Sequence, residues 1–170
     1  MRVRAGSSYK EEGGSVRKIS TAIIHPRYKD YDYDIGVIKV TRPFRFGESI
    51  KPIVMISTPP EVDTCAIVSG WGDLREGGNS PSRLQHVEVL IVDFYRCVSS
   101  YKRITSRMIC AGWPKGGKDA CQMDSGGPLV SEDKLIGIVS WGYGCAQKGY
   151  PGVYTSVSVL RNWVISHVGD

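Results

Sequence analysis

A serine set between an acidic residue and two glycines is the part of the chain best suited to chemistry. Ser125 lies within residues 118–130, KDACQMDSGGPLV, directly after Asp124 and before Gly126 and Gly127. Glycines let a backbone turn sharply and approach another molecule closely. The pattern therefore predicts that Ser125 is presented as a nucleophile beside backbone N–H groups that can stabilise an oxyanion.

The base that such a serine requires is harder to find. A serine hydroxyl becomes an effective nucleophile only beside a base, usually a histidine that a third group orients. The chain has three histidines: His25, His86 and His167. His25 precedes a proline, His86 lies in a predicted strand, and His167 lies in a predicted terminal helix. We expect all three to be structural, so the sequence predicts a nucleophile without its base.

Composition and charge exclude several classes of function. The 41% hydrophobic and 23% charged residues are typical of a soluble globular protein rather than a disordered one. The net charge is +5, but the basic residues are scattered, so we expect no nucleic-acid partner. No apolar stretch is long enough to span a membrane, so we expect no membrane partner. The first 14 residues lack the apolar core of a signal peptide.

The five cysteines indicate the cellular compartment in which the protein folds. Their odd number leaves at least one thiol free or paired between chains, and their spacing fits no common zinc motif. We therefore predict no metal and no cofactor. We interpret four of them as structural disulfides, which are typical of secreted proteins. Because no secretion signal is visible, we expect that the N-terminal part of a longer protein is absent from this chain.

Short apolar and β-branched runs between Gly, Pro and Ser clusters predict an all-β fold, a barrel or a sandwich. A polar, Gly-rich stretch predicts a loop or edge over 1–14, and a Pro-punctuated stretch predicts a connector over 51–60. The apolar residues at helical spacing near the end predict a helix over 157–168 that packs on the barrel. Strands are predicted over 17–24, 35–40, 65–69, 86–92, 135–141 and 152–157.

Six segments, in order, resemble the chymotrypsin/trypsin family of serine endopeptidases. They are DYDIGVIKV at 32–40, CAIVSGWG at 65–72, MICAG at 108–112, KDACQMDSGGP at 118–128, SWGYGC at 140–145 and KGYPGVYTSV at 148–157. The resemblance implies an all-β, trypsin-like double β-barrel with a C-terminal helix. It divides the chain into a partial first barrel over 1–50, a connector over 51–64, and a complete second barrel with the helix over 65–170.

The same resemblance assigns the reacting groups. It implies that Ser125 is the nucleophile and that Asp34 is the carboxylate that orients the catalytic histidine. It places Met123 at the glycine position whose N–H contributes to the oxyanion hole. Asp124 corresponds to the carboxylate that pairs with the freed N-terminal amine of the family.

The resemblance also assigns a substrate-binding pocket. It implies that Asp119 lies at its base and pairs with an Arg or Lys side chain of the substrate. Gly142 and Gly152 form the pocket walls, and the backbone from Ser140 through Trp141 to Gly142 bonds an extended substrate. The expected partners are therefore protein or peptide substrates with Arg or Lys before the cut, and protein protease inhibitors.

The same resemblance predicts which cysteines form disulfides. The resemblance implies disulfides between Cys121 and Cys145 and between Cys97 and Cys110. The family partner of Cys65 corresponds to Ser131, which predicts that Cys65 is the unpaired thiol.

The chain departs from the family pattern at functional positions. It has no Ala-Ala-His-Cys-like segment before Asp34 and no Ile-Val-Gly-Gly-like start, and Met123 replaces a glycine. We predict a secreted, trypsin-like serine endopeptidase by family whose present chain is inactive by itself. The alternatives are a catalytically dead homologue that binds proteins through the retained cleft, and a non-functional fragment.

Overall fold

The computed structural model describes residues 1–168, which form ten strands and two helices. The chain order is β1 Arg2–Ala5, β2 Ser15–Ile24, β3 Gly36–Val40, β4 Val54–Met55, β5 Cys65–Gly70, β6 Gln85–Val92, α1 Phe94–Ser100, β7 Met108–Gly112, β8 Pro128–Ser131, β9 Lys134–Trp141, β10 Gly152–Ser156 and α2 Val157–Val168.

Six of these strands close into a barrel. The antiparallel order β10–β7–β6–β5–β8–β9 becomes a ring because β10 also pairs with β9. The short β4 adds a parallel edge to β9. The pairing register shifts between Val153 and Tyr154 and between Leu129 and Val130, and such irregularities bend strands as closure requires.

The barrel encloses the main core, because its strands alternate between the two faces. In β5, Ala66 and Val68 are buried while Cys65 and Ile67 are exposed, which is the period of two that a strand imposes. A larger set of buried side chains fills the interior: Val68, Val89, Ile91, Leu129, Ile136, Val139 and Tyr154. This burial is the dominant favourable contribution to folding of this half.

A second, smaller cluster lies outside the barrel beneath α1, a helix that the sequence analysis did not predict. Asp93 caps the helix, since its side chain accepts a hydrogen bond of 3.1 Å from the Arg96 N–H. Cys97 of the helix is buried and packs with Tyr101 and Met108. The seven-residue helix is too short to show a clear apolar periodicity.

The terminal helix was predicted correctly. α2 begins at Val157 and buries Val157 and Leu160. It lies against β9, β3 and β4, so it joins the barrel to the first part of the chain. Among the described residues, no helix has the length and apolar character needed to cross a membrane.

The first part of the chain forms a separate three-stranded antiparallel sheet, β1–β2–β3. β1 lies in the region predicted as loop or edge. Pairing of Arg2 with Lys18 and of Ile19 with Val40 sets Val3, Ile19, Ile38 and Val40 on one face. This apolar face is incompletely covered, because Ile38 remains 53% exposed.

All six predicted strands are present, with ends that differ by at most two residues. The stretch 51–60, predicted as a connector, is irregular except for the two residues of β4, which pair with β9. The strands β7 and β8 were not predicted from periodicity.

Both predicted disulfides form, Cys97–Cys110 and Cys121–Cys145. Cys65 is free and exposed, as predicted. The Ser131 Oγ donates a hydrogen bond of 2.7 Å to the Cys65 carbonyl oxygen, so the hydroxyl of Ser131 is satisfied by the strand that it faces.

Candidate active site

The turn over residues 121–127 displays Ser125 at the surface of the barrel. The Asp124 carboxylate holds this turn, because it accepts hydrogen bonds from the backbone N–H groups of Gly72 at 2.8 Å and Cys121 at 3.0 Å. A side chain at Gly72 would collide with this carboxylate, since its Cβ would lie 2.4 Å from the Asp124 Cγ. Ser125 is exposed. Two backbone N–H donors thus compensate the charge of the Asp124 carboxylate.

Met123 adopts a backbone conformation that suits glycine. Its φ is +74°, in the left-handed region that costs a residue with a Cβ about 1–2 kcal/mol. The side chain is 69% exposed and therefore gains little from packing. The turn accommodates methionine in a backbone conformation that glycine adopts more easily.

Asp34 is tied to the barrel at two points. Its carboxylate accepts a 2.6 Å hydrogen bond from the Ser140 Oγ on β9. Its backbone carbonyl accepts a 2.7 Å hydrogen bond from the Thr155 Oγ1 on β10. The residue is half-buried. These bonds aim the carboxylate across the boundary between the first sheet and the barrel.

Asp32, on the same loop as Asp34, also fixes the loop to the rest of the chain, and the sequence analysis did not predict this role. The Asp32 carboxylate binds the Arg107 guanidinium and accepts a 2.9 Å hydrogen bond from the Thr105 Oγ1. The hydrogen bond from Arg107 is the main reason that the pKa of Asp32 lies below its usual value. Tyr31 and Tyr33 on this loop have positive φ values of 68° and 53°. Strained conformations of this kind persist only where surrounding contacts determine them.

A cavity of about 160 Å³ is lined by both Ser125 and Asp119. The Asp119 carboxylate accepts hydrogen bonds from the backbone N–H groups of Ala120 at 2.8 Å and Ala146 at 3.0 Å. Burial nevertheless raises the pKa of Asp119 to about 6, because these two bonds offset only part of the loss of water. A half-buried carboxylate whose charge is only partly compensated favours a cationic ligand.

Two glycines keep the cavity open. A Cβ on Gly152 would lie 2.4 Å from the Asp119 Oδ1, and a Cβ on Gly142 would lie 3.9 Å from the Gly152 Cα. Side chains at these positions would occupy the space above the carboxylate. Tyr154 also lines the cavity, and its buried hydroxyl has no hydrogen-bond partner among residues 1–168. No local sequence signal distinguishes Tyr154 from a core residue.

Comparison with known proteins identifies the family. The sequence pattern of the family described as Trypsin matches residues 1–164. The chain belongs to the trypsin family. It is 45% identical over 174 residues to the vitellin-degrading protease of Bombyx mori, covering 98% of this chain and 66% of that protein. It is 49% identical over 173 residues to trypsin alpha of Drosophila erecta, covering 98% and 67%.

The solved structure of a serine protease confirms the fold. Neuropsin, a serine protease expressed in the limbic system of mouse brain, superposes with a TM-score of 0.91 at 33% identity, covering 97% of this chain and 78% of that one. The prediction of an all-β fold with a complete second barrel, a partial first barrel and a terminal helix is therefore correct. The chain spans about two thirds of the length of the curated relatives that it matches.

In this trypsin-family chain, three predicted site residues converge on one cleft. Asp119 and Ser125 line the same cavity, together with Trp141, Gly142 and Gly152. Ser140 also lines it, and its hydroxyl binds Asp34. The structure thus brings the predicted nucleophile, the predicted orienting carboxylate and the predicted specificity carboxylate to one place.

The histidines of this trypsin-family chain lie elsewhere. His25 is buried between the rings of Tyr33 and Trp163, each with its centroid 4.7 Å away, and burial lowers its pKa. His86 is exposed on β6. His167 is exposed on α2, with its Nδ1 2.7 Å from the Trp163 carbonyl oxygen. Within residues 1–168, no histidine forms a hydrogen bond with Ser125 or Asp34.

Proposed function

We propose that the protein containing this chain is a secreted endopeptidase that cleaves polypeptides after Arg or Lys. The observation that carries this proposal is the half-buried Asp119 carboxylate, which lines the same cavity as Ser125. A long cationic side chain placed in this cavity would neutralise Asp119 and bring the next peptide bond to Ser125. The two disulfides support an extracellular location.

The proposed chemistry is acyl transfer to Ser125. Its hydroxyl attacks the carbonyl carbon of the substrate, and the resulting oxyanion is stabilised by the backbone N–H groups of Met123 and Ser125. The intermediate collapses to an acyl-enzyme as the amine leaves with a proton, and water then hydrolyses the ester. Asp34 would orient the histidine that moves these protons.

We further propose that the present chain is inactive by itself. The proton transfers need a base between Asp34 and Ser125, and the three histidines of the chain lie elsewhere. Removal of a triad histidine typically lowers kcat by about 10⁶-fold. The residual rate would come only from substrate binding and the oxyanion hole.

A catalytically dead homologue is the second candidate. Two internal departures from the family pattern favour it: Met123 at the oxyanion position and Ser131 at the position of a disulfide cysteine. Such a protein would keep the cleft and bind protein substrates or protease inhibitors without turning them over.

Hydrolysis of a peptidyl-arginine p-nitroanilide tests the inactivity of the chain. We expect the purified chain to release p-nitroaniline no faster than its Ser125→Ala variant. A rate clearly above that control would show that a base is present and would overturn the proposal of inactivity.

The 5′ end of the transcript tests the proposed enzyme against the dead homologue. An upstream Ala-Ala-His-Cys-like segment would supply the base. The longer protein should then cleave after Arg and Lys and lose about 10⁶-fold of its kcat in the Ser125→Ala variant. A different residue in place of that histidine would contradict the enzyme proposal and support the binding module.

A further inference from the structure

Tyr33, the residue directly before Asp34, has its ring enclosed by three side chains. The ring stacks on that of His25, with the centroids 4.7 Å apart and an angle of 24° between the planes. The guanidinium groups of Arg27 and Arg107 lie 4.4 and 4.9 Å from its centroid, within the range of cation–π attraction. His25 and Arg27 follow β2, whereas Arg107 lies directly before β7 of the barrel. The ring therefore connects the first part of the chain to the barrel.

The backbone of Tyr33 does not owe its conformation to local preference. Its φ of +53° lies in the left-handed region, which is unfavourable for a residue with a large side chain. Conformations of this kind persist only where surrounding contacts impose them. The contacts of the half-buried ring supply such a constraint, and they therefore maintain the backbone conformation of Tyr33.

Arg107 constrains the residue before Tyr33 as well. Its guanidinium binds both carboxylate oxygens of Asp32, a two-point contact that fixes direction as well as distance. The Asp32 carboxylate also accepts a 3.0 Å hydrogen bond from the Tyr33 N–H. One side chain of the barrel half thus holds Asp32 through its carboxylate and Tyr33 through its ring.

The constraint reaches Asp34 through the backbone. The Ile35 N–H donates a 2.8 Å hydrogen bond to the Tyr33 carbonyl oxygen, which closes a three-residue turn with Asp34 at its centre. The Asp34 carboxylate accepts its 2.6 Å hydrogen bond from the Ser140 Oγ out of this turn. A displacement of Tyr33 would therefore rotate the turn and move the Asp34 carboxylate away from Ser140.

We propose that Tyr33 is a positioning residue for Asp34. The contacts of its ring maintain the turn and so set the direction in which the Asp34 carboxylate points. The proposed function requires this direction, because the carboxylate must orient a histidine. The catalytic consequence of the inference rests on the proposed function, whereas its effect on the turn does not.

Hydrogen exchange at the Ile35 amide, followed by NMR on the full chain, tests the proposal. The variants Tyr33→Leu, Ser140→Ala and their combination form a double-mutant cycle. Tyr33→Phe is the conservative variant, since all three contacts are made with the ring. Tyr28→Leu is the matched control, because Tyr28 is an exposed tyrosine of the same segment. The amide of Val89, in the barrel core, reports whether each variant keeps its overall stability.

We expect Tyr33→Leu to accelerate exchange of the Ile35 amide roughly 5- to 30-fold, the combined contribution of two cation–π contacts. Tyr33→Phe and Tyr28→Leu should each change this rate by less than about threefold, and exchange at Val89 should stay the same. Ser140→Ala should also accelerate exchange at Ile35. The double variant should fall clearly below the product of the two single effects, because both substitutions act on Asp34.

Three results would overturn the proposal. Unchanged exchange at Ile35 in Tyr33→Leu would show that the ring does not maintain the turn. Single effects that multiply in the double variant would show that Tyr33 and Ser140 act independently. Acceleration at Val89 as large as at Ile35 would show a loss of overall stability instead of a positioning role.

Kinetics of the longer protein separate this inference from the proposed function. If that protein cleaves after Arg, Tyr33→Leu should lower kcat and leave KM nearly unchanged, because a misdirected Asp34 weakens an interaction that matters in the transition state. Tyr33→Phe should restore kcat. A change in KM alone would overturn the positioning role. A longer protein without activity would contradict the proposed function, and the exchange cycle would still decide whether Tyr33 positions Asp34.

Discussion

At the scale of the residue, Asp119 is the group whose surroundings say most about its ligand. Its carboxylate is half-buried, and two backbone N–H groups supply its only hydrogen bonds within the described residues. Nearby Asp124 adds a smaller unfavourable charge to the effect of burial. Ionisation in the empty pocket is therefore costly, and a bound cation removes that cost.

The ionisation of Asp119 predicts pH-dependent binding of a cationic ligand. Because its pKa is raised to about 6, a carboxylate that is almost fully ionised at pH 8 is only about one-tenth ionised at pH 5. Isothermal titration with benzamidine should therefore show affinity that falls about tenfold between pH 8 and pH 5. The Asp119→Asn variant should bind weakly, with a flat profile. Wild-type affinity that is independent of pH would contradict this assignment.

The same raised pKa has the opposite consequence for the free chain. The folded state holds the proton of Asp119 more tightly than the unfolded state does. Its contribution to stability is therefore greatest below about pH 4 and is lost as the pH rises towards about 6. A saturating cationic ligand should remove this loss, which links the pocket to folding.

At the scale of the element, the turn over 121–127 combines two residues at positive φ, Met123 at +74° and Gly126 at +81°. Only the second is a glycine. The turn is nevertheless held, because Asp124 bonds to Gly72 and Cys121 and because the Gly126 N–H donates to the Val139 carbonyl oxygen at 2.8 Å. The anchors, rather than the local preference of Met123, determine the conformation of the turn.

The Met123→Gly variant should therefore stabilise the chain by about 1 kcal/mol, since glycine relieves the left-handed strain and little packing is lost. Urea unfolding should show a higher midpoint with an unchanged m-value. The opposite exchange, Gly126→Ala, is the matched control. A Cβ there meets no atom within 4 Å, so it should destabilise by a similar amount through φ alone. A destabilising Met123→Gly would show that the side chain has a role that its exposure does not reveal.

At the scale of the whole molecule, the two parts of the chain are unequally buried. Both hydrophobic clusters lie in the part from β5 onwards. In the first 50 residues, the buried side chains are His25 and Ile35, and Ile24 is 70% exposed. We propose that residues 1–50, 51–64 and 65–170 behave as a marginal first part, a connector and a stable second part.

Hydrogen exchange should separate these parts. Amides of β2 and β3 should open with free energies at least about 2 kcal/mol below those of β6 and β10, because few apolar contacts oppose their opening. Exchange followed by mass spectrometry on peptides from 16–40 and from 85–92 gives the comparison. Equal protection of all amides in both segments would contradict the prediction.

Local pattern was sufficient for much of this protein. Period-two alternation and β-branched runs predicted six strands, and helical spacing from Val157 to Val168 predicted α2. The odd number of cysteines required a free or intermolecular thiol, and the resemblance identified it as Cys65. The context of Ser125 predicted a displayed nucleophile. The strands, the helix and the Ser125 turn depend on neighbours in the chain, so the sequence alone determines them.

Only the tertiary structure determined which residues contact one another at the candidate active site. The Ser140–Asp34 contact joins residues 106 positions apart, and the Arg107–Asp32 pair joins residues 75 positions apart. Tyr154, whose hydroxyl has no hydrogen-bond partner within the described residues, lines the same cavity as Asp119 only because the barrel closes. No periodicity encodes such contacts, because they arise when strands distant in the chain pair around one core. The residue types are set locally, but their distances and pKa values are set by burial that only the closed fold creates.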